Sequence, residues 1–325
     1  MESDRHSAGG GGGERADRSA PGALDAAGAL AWGGLVILPT ETVYGLAADA
    51  ANPTAVAALY EAKGRPRFNP LIAHVADLAM AARAARLDPR MQMLAEAFWP
   101  GPLTFVVPVL ETGPVCDLAR AGLDTVAVRA PAHPLAQAVI ETLGRPLVAP
   151  SANRSGRPSP TTFADAVAET GAAAAVALDG GACAVGLEST VVSLLDGPPR
   201  LLRPGAVTRA QIERLVGPLA EAEADVARSP GRMARHYAPV APMRLEADIP
   251  APGEAFLAFG QAPAGEAVFN LSPSGDLAEA AARLFSALRA ADARRPQAIA
   301  VAPIPAEGLG EAINDRLRRA AGYVG

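Results

Sequence analysis

Short apolar runs alternate with segments of helical periodicity from about residue 23 onwards. Runs of four to eight apolar residues are typical of buried strands, whereas apolar residues three and four positions apart are typical of helices. The pattern predicts strands at about 34–39, 71–75, 103–109, 126–129, 147–149, 175–178, 190–195 and 200–203. Because helical segments separate several of them, we expect one α/β domain with a mixed central sheet over 23–217.

Three helices of this domain are predicted at 53–63, 134–143 and 207–216. Asn52 suits the N-cap of the first, with Pro53 at the first helical position. Thr208 is the predicted cap of the third.

A second strand and helix pattern begins near residue 244. It predicts strands at 256–259 and 298–302 and helices at 276–290 and 307–320. We therefore expect a small, Rossmann-like α/β domain over 244–325. Residues 218–243 lie between the two patterns and resemble a linker, yet they contain a polar cluster of Arg232, Arg235, His236 and Tyr237.

The first 22 residues are rich in glycine and charge, with no apolar segment after a basic start. They do not resemble a signal peptide, and we expect a disordered tail. No stretch of about 18 apolar residues occurs, which predicts no membrane span and a soluble, cytoplasmic protein.

Composition narrows the classes of partner and site. The net charge of −5 gives no overall basic surface for nucleic acid, although a local basic patch remains possible. Cys116 and Cys183 lie far apart, so we interpret both as ordinary thiols and expect neither a zinc site nor a disulfide. Of the 29 basic residues only Lys63 is lysine. Either this position needs a compact ammonium, or the lysine is there by chance.

Polar residues gather where predicted strands begin or end. No phosphate-binding P-loop, dinucleotide fingerprint or nucleophile elbow is present. Because ligands of open α/β sheets bind in crevices at strand ends, cations and hydroxyls placed there indicate a bound polyanion. Six segments carry them: PTETVYGL from Pro39, KGRPRFNPL from Lys63, VAVRAP from Val126, PSAN from Pro150, ESTVV from Glu188 and LLRPG from Leu201.

These six motifs, in this order, resemble the YrdC-type threonylcarbamoyl-AMP synthase family over about 35–240. Residues beyond 243 resemble the extra domain of its long, two-domain form. The resemblance implies a twisted, open mixed sheet around a large cavity. It also implies a nucleotidyltransferase that uses L-threonine, bicarbonate and ATP, with Mg²⁺, to make the intermediate for a tRNA modification.

The resemblance also implies residue roles. L-threonine would contact Thr42, His74, Arg129, Ala149 and Ser189. The guanidinium of Arg129 suits a carboxylate, which it can hold through two parallel hydrogen bonds. The alternatives are a surface ion pair for Arg129, strand-end capping for Thr42 and Ser189, and an ordinary core position for His74.

ATP would contact a larger set, in which Lys63, Arg65 and Arg203 neutralise the triphosphate and so act in catalysis. Their alternative is a solvated basic turn. Arg67 flanks the motif without a clear role. No carboxylate cage for a metal is evident, so we expect the triphosphate to supply most Mg²⁺ ligands. The resemblance places ATP on Arg65, Asn69, Thr125, Ser151, Ser159, Arg203 and Tyr237, and we add Lys63 and Asn153.

Two other functions stay open. A protein of this fold could be an RNA-binding module, against which the net charge counts. It could also be a carbamoyltransferase of hydrogenase maturation, although two isolated cysteines cannot form the zinc module of that family. For the synthase we expect the downstream tRNA threonylcarbamoyl-transfer machinery as a partner, with weak tRNA contact possible. We hypothesise that residues 229–239 fold over the cavity as a lid, anchored by a second domain that supplies no catalytic group.

Overall fold

A computed structural model describes residues 22–221, 236–262 and 264–323. The first domain contains a ten-stranded sheet. Its strands are β1 (Val36–Leu38), β2 (Gly45–Asp49), β3 (Ile72–His74), β4 (Leu103–Pro108), β5 (Thr125–Arg129), β6 (Leu147–Val148), β7 (Val176–Ala177), β8 (Thr190–Ser193), β9 (Arg200–Arg203) and β10 (Ala220–Glu221). Their order in the sheet is β10-β9-β8-β4-β5-β3-β6-β2-β1-β7.

Seven α-helices accompany this sheet in the described part of the domain. They are α1 (Ala23–Ala31), α2 (Pro53–Lys63), α3 (Leu78–Ala81), α4 (Pro89–Phe98), α5 (Pro134–Leu143), α6 (Phe163–Thr170) and α7 (Arg209–Val216), with a 3₁₀ turn at Gly171–Ala173. The predicted bounds of α2 are confirmed. Its Asn52 side chain accepts hydrogen bonds from the backbone N–H of Thr54 and Ala55, and Gly64 ends it in a left-handed conformation.

The prediction of a mixed sheet is confirmed by the pairing of its central strands. β4 pairs antiparallel with β5 and parallel with β8. β3 and β5 are parallel, with His74 beside Arg129 in register. Two predicted substrate residues therefore meet where neighbouring strands end.

The sequence pattern missed the helices α1, α3, α4 and α6 and the strands β2 and β10. The β2 sequence GLAAD lacks the β-branched and aromatic residues that favour strands. It is nevertheless fully buried between β1 and β6, with which it pairs antiparallel. Tertiary pairing rather than local preference therefore determines its conformation.

The second domain has a four-stranded parallel sheet and two helices. The elements are β11 (Met243–Arg244), β12 (Glu254–Ala258), β13 (Val268–Asn270), α8 (Leu277–Ala293), β14 (Ala298–Val301) and α9 (Leu309–Ala321), with strand order β11-β14-β12-β13. Leu284 and Phe285 of α8 and Ile313 of α9 pack on Ile299 in its core. Strands β11 and β13 were not predicted.

The two domains contact each other closely. Gly186 has a positive φ of 72°, and a Cβ there would lie 2.5 Å from the Cα of Ala282 in α8. Arg209 of α7 forms an ion pair with Glu311 of α9 at 3.0 Å. The predicted tail at 1–22 falls almost wholly outside the described residues. Among the helices that the structure does describe, none is long and apolar enough to cross a membrane.

Candidate active site

One cavity of the first domain gathers most of the predicted site residues. It contains about 520 Å³ of empty space when its opening to solvent is included. The segment after β1, the ends of β3, β5 and β9, and the segments next to β6 and β8 supply its wall. Its lining residues are Thr42, Val43, Arg65, Leu71, Ile72, His74, Arg129, Ala149, Pro150, Ser151, Glu188, Ser189, Arg203, His236 and Tyr237.

Arg129 lies at the end of β5 and is 4% exposed. Its Nη1 donates to the hydroxyl of Thr42 at 2.9 Å, and its Nη2 forms an ion pair with Glu41 at 2.6 Å. Its Nε donates to the carbonyl oxygen of Gly101 at 3.2 Å. A guanidinium has five N–H groups, so these three bonds leave a second N–H on each Nη. Arg129 is thus held in place and can still bind a carboxylate.

Two hydroxyls of the predicted threonine site are also held by buried partners. Thr42 and Thr40 share a hydrogen bond of 2.8 Å between their hydroxyls. The Ser189 hydroxyl lies 2.7 Å from that of Thr104 in β4. The Thr40 hydroxyl donates to the carbonyl oxygen of Val43, so it accepts from Thr42, and Thr42 can offer a ligand only its remaining lone pair. The Ser189 hydroxyl can accept from Thr104 and donate to a ligand.

His74 is buried at the end of β3, and its Nδ1 lies 3.1 Å from the carbonyl oxygen of Ile72. Burial, together with the charge of Arg129, lowers its pKa to about 3. The imidazole is therefore neutral at physiological pH and adds no positive charge to this side of the cavity.

Two arginines supply positive charge on the other side. Arg203, at the end of β9, donates from Nε and Nη2 to the carbonyl oxygen of Ser189 at 3.1 and 2.9 Å. Arg65 donates to the carbonyl oxygens of Asn69 and Pro70 at 3.4 and 3.1 Å. Burial lowers the pKa of both, to about 10 for Arg65, so both stay charged at neutral pH. This side can attract an anion.

Lys63 does not line the cavity. It is 3% exposed, and its Nζ donates to the carbonyl oxygens of Ser151 and Asn153. Burial, and after it the charge of Arg65, lowers its pKa well below the ordinary value. The sole lysine therefore supports the backbone of the PSAN segment on the side away from the cavity. The expectation that it faces the triphosphate does not agree with this position.

Three more predicted ATP residues lie behind the cavity wall. The hydroxyl of Ser159 donates to Glu188. Asn153 donates from Nδ2 to the carbonyl oxygens of Arg154 and Arg157 at 2.7 and 2.9 Å. The Nδ2 of Asn69 and the Oδ1 of Asn153 are buried without a hydrogen-bond partner in the described part of the chain.

The structure does not bring Thr125 to this cavity. Thr125 begins β5 whereas Arg129 ends it, and four residues of strand span about 13 Å. Thr125 instead lines a separate depression with Arg86, Asp88 and Arg90. The resemblance alone suggested this residue, and the geometry gives it no contact with the others.

His236 and Tyr237 are the described part of the predicted lid. Tyr237 is 1% exposed and has a φ of 63°, which is unusual for a residue with a side chain. Its hydroxyl and the Nδ1 of His236 are buried without a partner among the described residues. Burial raises the pKa of Tyr237 to about 12 and lowers that of His236 to about 3. Both face the cavity in their neutral forms.

Two charged residues at the site escaped the sequence reasoning. Glu188, which begins the ESTVV motif, lines the cavity and forms an ion pair of 2.9 Å with Arg316. Arg316 belongs to α9, so the second domain supplies the ion-pair partner of a carboxylate that lines the cavity, although Arg316 itself does not line it. We had expected the second domain to supply no catalytic group because it lacks histidine and lysine. The sequence does contain a signal for Arg316: it lies on the apolar face of α9 with Ile313, Leu317 and Ala320, where a charged side chain needs a buried partner.

The described residues contain no group of three His, Cys, Asp or Glu side chains that could hold a metal ion. The carboxylate at the cavity, Glu188, is already bonded to Arg316 and Ser159. These side chains do not form a protein-based Mg²⁺ site.

Comparison with known proteins agrees with this geometry. A family model described as telomere recombination matches residues 28–205, and one described as threonylcarbamoyl-AMP synthase, C-terminal domain, matches 207–322. The threonylcarbamoyl-AMP synthase of Pyrococcus abyssi is 41% identical over 323 residues, with 92% of this chain and 93% of the relative covered. That of Bacillus subtilis is 38% identical over 310 residues, with 89% of each chain covered.

The fold comparison points the same way. The crystal structure of P. abyssi Sua5 complexed with L-threonine superimposes with a TM-score of 0.85 at 39% identity. The match covers 93% of this chain and 94% of that one. From the two matched family models and these relatives, the chain belongs to the threonylcarbamoyl-AMP synthase family, in its long form with the C-terminal domain.

Proposed function

We propose that this chain condenses L-threonine, bicarbonate and ATP into L-threonylcarbamoyladenylate and pyrophosphate. The observation that carries the proposal is the convergence of all five predicted threonine residues in one cavity with Arg65 and Arg203. A carboxylate-binding arginine on one side and two further arginines on the other suit an amino acid placed beside a triphosphate. The relative with a similar fold was crystallised with L-threonine, which supports the same substrate here.

In this arrangement Arg129 binds the carboxylate of threonine through the free N–H on each Nη. Thr42 and Ser189 hydrogen-bond its polar groups, and the backbone of Ala149 closes one side. Neutral His74 keeps extra positive charge away from the amine, which must be unprotonated to react. The apolar side chains nearby, Val43 and Ile72, can contact the methyl group of threonine.

Arg65 and Arg203 neutralise the triphosphate, while Ser151 and Tyr237 contact the nucleotide. The unprotonated amine of threonine bonds to the carbon of bicarbonate, whose hydroxyl leaves together with an amine proton as water, and gives a carbamate anion. A carbamate oxygen then bonds to the α-phosphorus as the bond to the bridging oxygen of pyrophosphate breaks. Two anions must approach each other, so cations in a cavity of low dielectric constant lower the barrier.

Mg²⁺ enters this scheme as a companion of ATP. Its chemistry would be to neutralise part of the phosphate charge, with phosphate oxygens and water as its main ligands. The contribution of the chain is then the arginines around the phosphates rather than metal ligands. We also propose that the product passes to the tRNA threonylcarbamoyl-transfer machinery in the cytoplasm, with only weak contact to tRNA.

The segment around Tyr237 acts as a lid. Residues 222–235 lie outside the described part, including Arg232 and Arg235, but the following residues are held by both domains. The backbone N–H of His236 donates to Arg319 in α9 at 3.3 Å, and that of Ala238 donates to Gly156 in the first domain at 2.7 Å. Closure would exclude water, which otherwise hydrolyses the mixed anhydride.

Truncation tests the lid. A chain ending at Ala224 lacks Tyr237 and should lose most activity, whereas one ending at Val240 should retain part of it. Full activity and an unchanged product lifetime in the shorter chain would show that the segment is only a connector.

Mass spectrometry of the enzyme incubated with ATP, bicarbonate, L-threonine and Mg²⁺ tests the reaction. We expect the mass of threonylcarbamoyl-AMP, and pyrophosphate release that stops when any one component is omitted. Pyrophosphate release at the same rate without threonine would contradict the proposal.

A further inference from the structure

Arg316 connects the second domain to the wall of the catalytic cavity. Its side chain is 1% exposed, and its Nε donates to the carboxylate of Glu188 at 2.9 Å. Its Nη1 donates to the carbonyl oxygen of Pro204, directly after Arg203, also at 2.9 Å. One side chain of α9 therefore contacts both the ESTVV and the LLRPG segments.

The same guanidinium lies over a residue of the lid. Its central carbon is 5.5 Å from the ring centroid of Tyr237, within reach of a cation–π interaction. The Tyr237 ring also packs on Phe285 of α8 at 5.3 Å between centroids. Tyr237 is thus positioned against the cavity largely by side chains of the second domain.

The charge of Glu188 makes this contact important. Glu188 lines a cavity proposed to receive a triphosphate, and an uncompensated carboxylate there would repel it. Burial by itself raises the pKa of Glu188, but Arg316 and then Arg203 outweigh that effect and keep the carboxyl ionised with a lowered pKa. Arg316 therefore balances a negative charge that would otherwise face the nucleotide.

We propose that Arg316 is a positioning residue for ATP, through which the second domain completes the nucleotide site. It neutralises Glu188, so that this carboxylate can hold the Ser159 hydroxyl without repelling phosphate, and it supports the ring of Tyr237. This inference rests on the proposed ATP site. It assigns the second domain a role in nucleotide affinity beyond anchoring the lid.

Full-length variants test the role of Arg316 by calorimetric titration with Mg²⁺-ATP and, separately, with L-threonine. Arg316→Met should weaken ATP binding at least tenfold and change threonine affinity less than threefold. The double variant Arg316→Met/Glu188→Gln removes both charges and should restore ATP affinity to within about threefold of wild type. Arg209→Met is the matched control, because Arg209 also joins the domains through α9 but pairs with Glu311 and Glu221, neither of which lines the cavity.

The outcomes show whether Arg316 acts by neutralising Glu188 or only by holding the two domains together. Equal ATP affinity in Arg316→Met and Arg209→Met would overturn the proposal. If Arg316→Met does not fold, the neutral double variant decides, since a tenfold loss of ATP affinity in a folded double variant would also overturn it. ATP binding without pyrophosphate release by the wild type would contradict the reaction but leave this test intact.

Discussion

The Nζ of Lys63 donates a hydrogen bond to the backbone carbonyl oxygen of Ser151, which lines the cavity. Lys63 ends α2, so this bond joins the first helix after the PTETVYGL motif to the PSAN segment. A second bond goes to the carbonyl oxygen of Asn153. The only lysine of the chain therefore shapes the proposed ATP site from outside it.

Lys63→Met should lower turnover at least tenfold, because the carbonyl oxygen of Asn153 loses its donor and that of Ser151 keeps only the N–H of Asn153. A buried polar group left unpaired costs about 1–3 kcal/mol. Lys63→Arg should also fail, since a planar guanidinium does not replace a compact ammonium between two carbonyls. Steady-state pyrophosphate release and thermal unfolding measure the two effects. Arg67→Ala, an exposed change in the same loop, is the control. Wild-type kinetics in Lys63→Arg would show that any cation serves.

Arg129→Lys should raise the KM for threonine roughly ten- to a hundredfold, since a charge-assisted bond contributes about 1.5–3 kcal/mol and lysine cannot bond a carboxylate in two-point fashion. The KM for ATP should change much less. Glu41→Gln is informative beside it, because it loosens Arg129 without removing the guanidinium. An unchanged threonine KM in Arg129→Lys would place the substrate carboxylate elsewhere.

Serine should be a poor but detectable substrate. It lacks one methyl group of threonine, and a hydrophobic pocket discriminates one such group by about 1–3 kcal/mol. Competition between the two amino acids, with products separated by mass, measures the ratio of kcat/KM. Val43→Ala should reduce that ratio, because Val43 is one of the two apolar side chains placed to contact the methyl group. Equal use of serine and threonine by the wild type would contradict this interpretation.

Acid should destabilise the fold through two buried histidines. His74 and His236 have pKa values of about 3 in the folded chain, against about 6.5 when unfolded. Below pH 6.5 the unfolded chain binds more protons than the folded chain. The free energy of unfolding therefore decreases as the pH is lowered, by roughly 2 kcal/mol per histidine between pH 7 and pH 5. The melting temperature of His74→Gln should fall less over this range than that of the wild type. An identical pH dependence would mean that His74 becomes protonated in the folded chain.

Local signals predicted α2 and α7, although α4 and α6 were missed and also begin at side-chain caps, Asp88 and Thr162. Asn52, Pro53 and Gly64 delimit α2, and Thr208 with Gln211 forms a capping box at α7. Strand β2 carries no such signal, because its conformation depends on partners distant in sequence. Predicted strands were also longer than observed, since apolar residues continue into buried turns.

The candidate site was predictable where a residue lies in a motif at a strand end, as for Arg129, Ser189 and Arg203. The site was not predictable where the role of a residue depends on the direction in which its side chain points. Lys63 and Arg65 are two positions apart, yet only Arg65 lines the cavity. The role of Arg316 depends on how the two domains pack together, and no motif of the first domain indicates that packing.

The parallel pairing of β4 with β8 has a consequence for how the chain is made. Leu103 pairs with Thr190, so roughly 90 residues must be added before β4 gains this neighbour. At typical rates of about 5–20 residues per second, the ribosome needs roughly 4–18 s to synthesise the residues between β4 and β8. An apolar strand edge exposed for that time can pair with other chains. Slower translation would therefore increase aggregation of newly made protein, even though the finished enzyme buries that edge.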